Sequence, residues 1–188
     1  MQGCMVQGHP VPDALIGELP DSAALLEQPA ALRERLAADG FLYLKGVLDP
    51  ALVSAARAEV FARLVAVGEV LEPGSAAIAT GTSRRDEIVA DRGQFWKSVS
   101  EGPMLRALSH GAAMNRIMSL AVGAPARAHD YMFLRAGARG RATGLHFDYP
   151  FFARAHDQVY TAWLPIGDVP TTDGPLVVIE GSHRFRDL

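Results

Sequence analysis

The chain has 188 residues, the size of one domain, with 49% hydrophobic and 21% charged residues and a formal net charge of −3. This composition excludes a disordered chain, and the lack of a basic excess argues against binding to nucleic acid or to anionic lipid. The single cysteine, Cys4, excludes an internal disulfide and a metal site built from cysteines.

The N-terminal residues 1–20 contain several glycines and prolines, lack periodicity and are expected to form an arm. They do not show the basic segment followed by an apolar run that is typical of a secretory signal. No stretch of the chain approaches the roughly 20 apolar residues that a membrane span needs. We therefore expect a cytoplasmic protein that binds no membrane.

Residues 21–126 are predicted to be mainly helical. Pro29 suits the first turn of a helix over 30–38 that ends at Gly40, and residues 41–44 are typical of a short strand. Asp49 followed by Pro50 predicts the start of another helix, because aspartate is a good N-cap and proline fits the first helical position. After a long loop over 69–92, further helices are predicted at 94–100, 103–110 and 112–121.

From residue 127 to 188 the pattern changes to short segments rich in aromatic and β-branched residues, separated by Gly, Pro and Asp. These segments, which are predicted to be strands, are 131–135, 143–148, 159–164 and 175–179. Helices followed by strands indicate an α+β fold in which helices cover a sheet.

The segment Gly144-Leu-His-Phe-Asp148 contains the strongest candidate for chemistry. Alternate side chains of a strand share a face, so His146 and Asp148 would point the same way, with Cα atoms about 6.6–6.8 Å apart. An imidazole and a carboxylate so placed are able to bind one divalent cation, as two members of the two-histidine, one-carboxylate set of non-haem Fe(II). The alternative is a hydrogen-bonded pair on the face of a strand.

Four motifs in order give the chain a resemblance to a known family over about residues 37–184. They are DGFLYLKGVLDP (39–50), GLHFDYP (144–150), YTAWLPIGD (160–168) and DGPLVVIEGSHR (173–184). The chain resembles the phytanoyl-CoA dioxygenase family, which are Fe(II)- and 2-oxoglutarate-dependent oxygenases on a double-stranded β-helix, a cupin-like jelly roll.

The resemblance implies that His146 and Asp148 are iron ligands and that 2-oxoglutarate occupies two further positions on the metal. Decarboxylation of 2-oxoglutarate with dioxygen would give succinate and CO2, and an aliphatic C–H bond of a small-molecule substrate would be hydroxylated. Because position 148 carries a carboxylate, the site resembles that of a hydroxylase; in halogenating relatives a small residue opens this position to halide.

Three further residues are candidates for contact with 2-oxoglutarate. Tyr131 lies in a region where relatives use polar residues for this purpose. Thr143 precedes the His-x-Asp pair, although its hydroxyl could instead satisfy the backbone of a turn. Trp163 could line the cavity near the cosubstrate or be a core tryptophan.

The chain departs from the family at its C-terminal end. The distal iron-binding histidine and the arginine that pairs with 2-oxoglutarate are expected beyond the Gly-Ser-His segment, as are the last strands of the jelly roll, so a longer enzyme or a degenerate relative is expected. His183 is an alternative third ligand.

A catalytically inactive β-helix binding module is the alternative function, and an open sheet edge would favour a homo-oligomer.

Overall fold

The computed structural model describes residues 4–71, 78–130, 132–134, 143–152 and 159–185. The chain divides into two compact units. Unit 1 comprises Met1–Lys45, Ala136–Trp163 and Val169–Leu188, and unit 2 comprises Gly46–Arg135 and Leu164–Asp168. The single domain predicted over residues 1–188 stays a prediction.

Regular structure among the described residues is mainly helical. The α-helices are α1 (Pro29–Asp39), α2 (Pro50–Ala66), α3 (Arg85–Ile88), α4 (Arg92–Ser100), α5 (Pro103–His110), α6 (Ala112–Val122) and α7 (Tyr149–Phe152). Short 3₁₀ turns lie at Asp13–Leu15, Ala23–Glu27, Thr171–Asp173 and Ser182–Arg184. None of these helices is long and apolar enough to cross a membrane.

The predictions for α1, α4, α5 and α6 are confirmed to within two residues at each end, and the predicted start of α2 at Pro50 is confirmed. The end signals of α1, α2 and α6 are local. The Asp49 side chain accepts a hydrogen bond of 2.9 Å from the backbone N–H of Ala51 and so caps α2. Gly40 and Gly123 follow α1 and α6 with φ of 81° and 78°, the left-handed conformation that commonly ends a helix.

The core of unit 2 forms where α2 packs against α5. Its buried side chains are Ala56, Val60, Val99, Leu105 and Leu108. Ala56 and Val60 share one face of α2, as the predicted helical spacing requires.

Glu59 of α2 supplies the cap that α5 lacks within its own sequence. Gly102, the residue before α5, has no side chain to accept from the first helical N–H groups. The Glu59 Oε2 atom accepts these bonds from Met104 at 2.9 Å and from Leu105 at 3.1 Å. A carboxylate at the positive end of the helix is also favoured by the helix dipole.

Unit 1 contains a two-stranded hairpin in the segment predicted to be an irregular arm. Strands β1 (Met5–Val6) and β2 (His9–Pro10) pair antiparallel. The turn residues Gln7 and Gly8 both have positive φ, at 52° and 83°. Two successive residues with positive φ form the tight turn that matches the twist of a hairpin.

The strand predictions for 143–148, 159–164 and 175–179 are wrong, since none of these segments belongs to a strand. The same holds for 132–134, while the rest of the predicted strand 131–135 lies outside the described residues. The strand predicted at 41–44 is reduced to a single bridge between Tyr43 and Asp21. The β1–β2 hairpin is the one sheet among the described residues, so a double-stranded β-helix is not seen there.

The physical reason is that strand-forming residues need partners and burial. The preference of Val, Ile and aromatic residues for strands reflects packing on a half-buried sheet more than a backbone preference. In the segments concerned, large apolar side chains stay exposed: Trp163 (47%), Leu176 (52%), Val177 (47%) and Ile179 (47%). The sequence pattern therefore identifies residues suited to a sheet but cannot supply the neighbouring strand.

Asp21 connects the segment before α1 with the segment after it. Its Oδ1 atom accepts hydrogen bonds from the backbone N–H of Ala23 at 2.9 Å and of Lys45 at 3.2 Å. These two bonds, with a smaller contribution from the Lys45 charge, lower the pKa of Asp21 below its ordinary value of 3.8. The carboxylate therefore stabilises the fold more than the protonated acid does.

We predict that Asp21→Asn lowers stability at neutral pH and that the difference from the wild type disappears in acid. A folded-state pKa below the unfolded one gives stabilisation that is present above about pH 4 and lost as the pH falls through the folded-state pKa. Urea denaturation followed by circular dichroism between pH 7 and pH 3 measures the difference. Asp168→Asn is the control, because Asp168 is exposed and shows no hydrogen bond within the described residues. A difference that grows in acid would contradict the prediction.

Candidate metal centre

His146 and Asp148 lie close together in unit 1. The His146 Nε2 atom is 3.2 Å from the Asp148 Oδ1 atom. The two residues do not lie on a strand. Their segment leads into α7, where the Asp148 carbonyl accepts hydrogen bonds from the backbone N–H of Phe151 at 3.0 Å and of Phe152 at 3.2 Å. The side chains thus converge as expected, but on a segment that leads into a helix.

A hydrogen bond at the Nδ1 atom, the ring nitrogen that does not face Asp148, fixes the orientation of the His146 ring. The Nδ1 atom lies 2.7 Å from the carbonyl oxygen of Gly144. A carbonyl oxygen can only accept, so Nδ1 carries the proton and donates it. In a neutral imidazole this leaves Nε2 unprotonated and able to bind a metal, which is the usual arrangement of a metal-binding histidine.

Asp148 is held through its second oxygen by a residue that sequence analysis did not select. The Thr161 hydroxyl donates to Asp148 Oδ2 at 2.5 Å, while Oδ1 faces His146. The signal for Thr161 was limited to its position two residues before Trp163. Its contact with Asp148 depends on the three-dimensional path of the chain between residues 148 and 161.

The donor pair fits a divalent cation. Nitrogen and oxygen ligands lie about 2.0–2.2 Å from such ions, so two ligands at right angles are roughly 3 Å apart. The separation of 3.2 Å between Nε2 and Oδ1 is close to this value. The side chains of His146 and Asp148 are 44% and 34% exposed, which leaves space for further ligands. Within the described ranges, no group of three or more His, Cys, Asp or Glu side chains is placed to hold a metal.

His183 has a different environment from the one expected of a third ligand. Its imidazole packs so closely on Gly40, at the end of α1, that a β-carbon at Gly40 would overlap the ring. The neighbouring Arg184 donates to the Ala38 carbonyl at 2.7 Å. The Gly-Ser-His-Arg segment therefore holds the C-terminal end of α1.

The three residues predicted to contact 2-oxoglutarate have different outcomes. Thr143 is exposed and directly precedes Gly144, whose carbonyl holds His146. Trp163 is 47% exposed and follows Thr161 by two residues. Tyr131 lies outside the described residues. Contact with the cosubstrate stays a prediction for all three.

Gln7, at the tip of the β1–β2 hairpin, lies against the same segment. A β-carbon at Gly144 would be 2.7 Å from the Gln7 Nε2 atom. Glycine at position 144 therefore allows the hairpin to approach the backbone that holds His146.

A separate cavity of about 410 Å³ lies in unit 2, and neither His146 nor Asp148 lines it. Its walls include Trp96, Lys97 and Leu134.

A histidine and a carboxylate are two of the three ligand types in the two-histidine, one-carboxylate set that defines the class of non-haem Fe(II) oxygenases. The model of the family described as phytanoyl-CoA dioxygenase (PhyH) matches residues 36–187, and the chain belongs to this family. The family in general comprises Fe(II)- and 2-oxoglutarate-dependent oxygenases with a cupin-like fold. No curated protein and no solved structure matches the chain.

We predict that Gly40→Ala destabilises the protein more than Gly46→Ala. Both glycines have positive φ, 81° and 64°, so each substitution carries the left-handed penalty of about 1–2 kcal/mol. Only at Gly40 would the new methyl group overlap His183, since Gly46 has open space around it. The overlap is expected to add about 1–3 kcal/mol, measured by urea denaturation.

The double variant Gly40→Ala/His183→Ala provides the check. Removing the ring removes the overlap, so in this background Gly40→Ala should show only the left-handed penalty. An equal loss with and without His183 would show that the ring does not restrict position 40.

Proposed function

We propose that the chain acts as an Fe(II)- and 2-oxoglutarate-dependent dioxygenase that hydroxylates an aliphatic C–H bond of a small molecule. The observation that carries the proposal is the 3.2 Å separation of His146 Nε2 and Asp148 Oδ1. Membership of the family supports the general reaction class. The jelly-roll fold, the two cofactors and the residue roles belong to the same proposal.

Bound iron with 2-oxoglutarate would supply the oxidising power, coupling decarboxylation of the cosubstrate to succinate and CO2 with insertion of one oxygen atom into the substrate. The protein contributes ligand geometry. His146 offers a neutral nitrogen whose direction the Gly144 carbonyl fixes. Asp148 offers one oxygen and one negative charge, which offsets part of the charge of the dication.

The same geometry supports the proposal of a cation bound by the two groups. A lone pair on Nε2 and an ionised carboxylate oxygen repel each other at this distance unless a positive charge lies between them. A proton or a metal ion satisfies this condition. With partial exposure of both side chains, the metal would keep open positions for the cosubstrate and dioxygen.

Thr143 and Trp163 lie near in sequence to the two residues that support the ligands, so they are the proposed contacts for 2-oxoglutarate, with Tyr131 as a third. Thr143 directly precedes Gly144, and Trp163 follows Thr161 by two residues. The substrate is proposed only as a small molecule.

We predict that His146→Ala and Asp148→Ala each abolish metal-dependent succinate release and weaken Mn(II) binding. Mn(II) is a redox-stable substitute for Fe(II), and its binding is measured by loss of the free-ion EPR signal. The weakening should exceed the roughly 10–100-fold that loss of a supporting residue causes. His129→Ala, which removes an exposed histidine of unit 2, is the control. Metal binding or succinate release that survives His146→Ala would overturn the proposal.

A second candidate function is that of a non-catalytic module that associates with another copy of the chain. Its support is the set of exposed apolar side chains in segments whose composition suits strands, such as Leu176, Val177 and Ile179. Exposed apolar side chains in a segment without a neighbouring strand favour burial against a second chain.

We predict that Ile179→Glu lowers the association constant of the chain, because a charge would be buried in the new interface. Sedimentation equilibrium over a range of protein concentrations measures the association. Ile88→Glu is a matched control, since Ile88 and Ile179 are 48% and 47% exposed and Ile88 lies in unit 2. A wild-type mass that stays monomeric at all concentrations would contradict this candidate.

A further inference from the structure

We infer that Thr161 is a positioning residue that makes Asp148 a metal ligand through one oxygen only. The inference rests on the proposed function, because it concerns how the proposed ligand is presented to the metal. The two carboxylate oxygens of Asp148 have different partners: Oδ1 faces His146 at 3.2 Å, and Oδ2 accepts a hydrogen bond from Thr161 at 2.5 Å.

The hydrogen bond between Thr161 and Asp148 has one direction. An ionised carboxylate can only accept, so the threonine hydroxyl donates its single proton to Oδ2. The distance of 2.5 Å is that of a charge-assisted O–H···O⁻ bond, which is stronger than a bond between neutral groups. Oδ2 is thus engaged, and rotation of the carboxylate about its Cβ–Cγ bond is restricted.

The restricted rotation of the carboxylate determines how many coordination positions Asp148 would occupy on the metal. A carboxylate that rotates freely is able to chelate a cation with both oxygens. With Oδ2 held by Thr161, Asp148 offers only Oδ1, beside His146 Nε2. One more coordination position stays open for exchangeable ligands than in the two-oxygen arrangement.

The hydrogen bond between Thr161 and Asp148 links two segments that are separated in the sequence. Thr161 is 13 residues from Asp148 and lies next to the segment of Trp163. His146 is held by the nearby Gly144 carbonyl, so its support is local, whereas the support of Asp148 comes from a residue 13 positions later in the chain. Loss of the Thr161 hydroxyl should therefore change the carboxylate and leave the imidazole in place.

The test compares the Mn(II) affinity of the full chain with the affinities of its Thr161→Val and Thr161→Ser variants. Valine has the shape of threonine without the hydroxyl, and serine retains the hydroxyl. We expect Thr161→Val to weaken Mn(II) binding about 10–100-fold, the usual effect of removing a group that orients a ligand. Thr161→Ser should restore binding to within a few-fold of the wild type.

Co(II) absorption gives a readout that a general loss of stability would not change. The intensity of its visible bands depends on coordination number and geometry, so Thr161→Val at saturating Co(II) should give a spectrum distinct from that of the wild type and of Thr161→Ser. Thr172→Val is the matched control, because the Thr172 hydroxyl donates to Asp173 Oδ1 at 3.1 Å away from the proposed ligands. This control should leave both readouts unchanged.

Each outcome is decisive. If Mn(II) binding depends on His146 but Thr161→Val retains the wild-type affinity and spectrum, the inference is overturned and the proposed function stands. A Thr161→Ser variant as weak as Thr161→Val also overturns it, because the hydroxyl would not be the cause. A wild-type chain that binds no metal through His146 overturns both. Thr161 is exposed, and Thr161→Ala provides a second variant without the hydroxyl if the valine variant does not fold.

Discussion

The site depends on one close approach: the His146 Nε2 atom and the Asp148 Oδ1 atom face each other at 3.2 Å. Each group is held from its far side, His146 by the Gly144 carbonyl and Asp148 by the Thr161 hydroxyl. These supports restrict the rotation of both side chains and keep the two atoms close together. A proton or a metal ion would make this close approach favourable, and the proposed iron chemistry uses the second of these possibilities.

The helical part of the fold was predictable because its signals act over a few residues. Asp49 before Pro50 and glycine at positions 40 and 123 mark helix ends through hydrogen bonds and dihedral angles that belong to the neighbouring backbone. The strand predictions were wrong because a strand is defined by its partner. The composition of 175–179 suits a sheet, yet its apolar side chains stay exposed when no neighbouring strand covers them.

The candidate site was predictable only in part for a related reason. The spacing of His146 and Asp148 indicated that they would share a side, and their close approach agrees with this although the segment is not a strand. Thr161 could not be selected, since its hydrogen bond crosses 13 residues of sequence. Conversely, the Gly-Ser-His-Arg segment was recognisable as a motif, but its packing on the end of α1 required the structure.

The Glu59 cap has a consequence for the stability of α5. Helix α5 has eight residues, and isolated helices shorter than about 12–15 residues are marginal in water. The acceptor for its first N–H groups lies 45 residues earlier, on α2. The first turn of α5 is therefore completed only where it contacts α2, so this helix depends on tertiary packing for its stability.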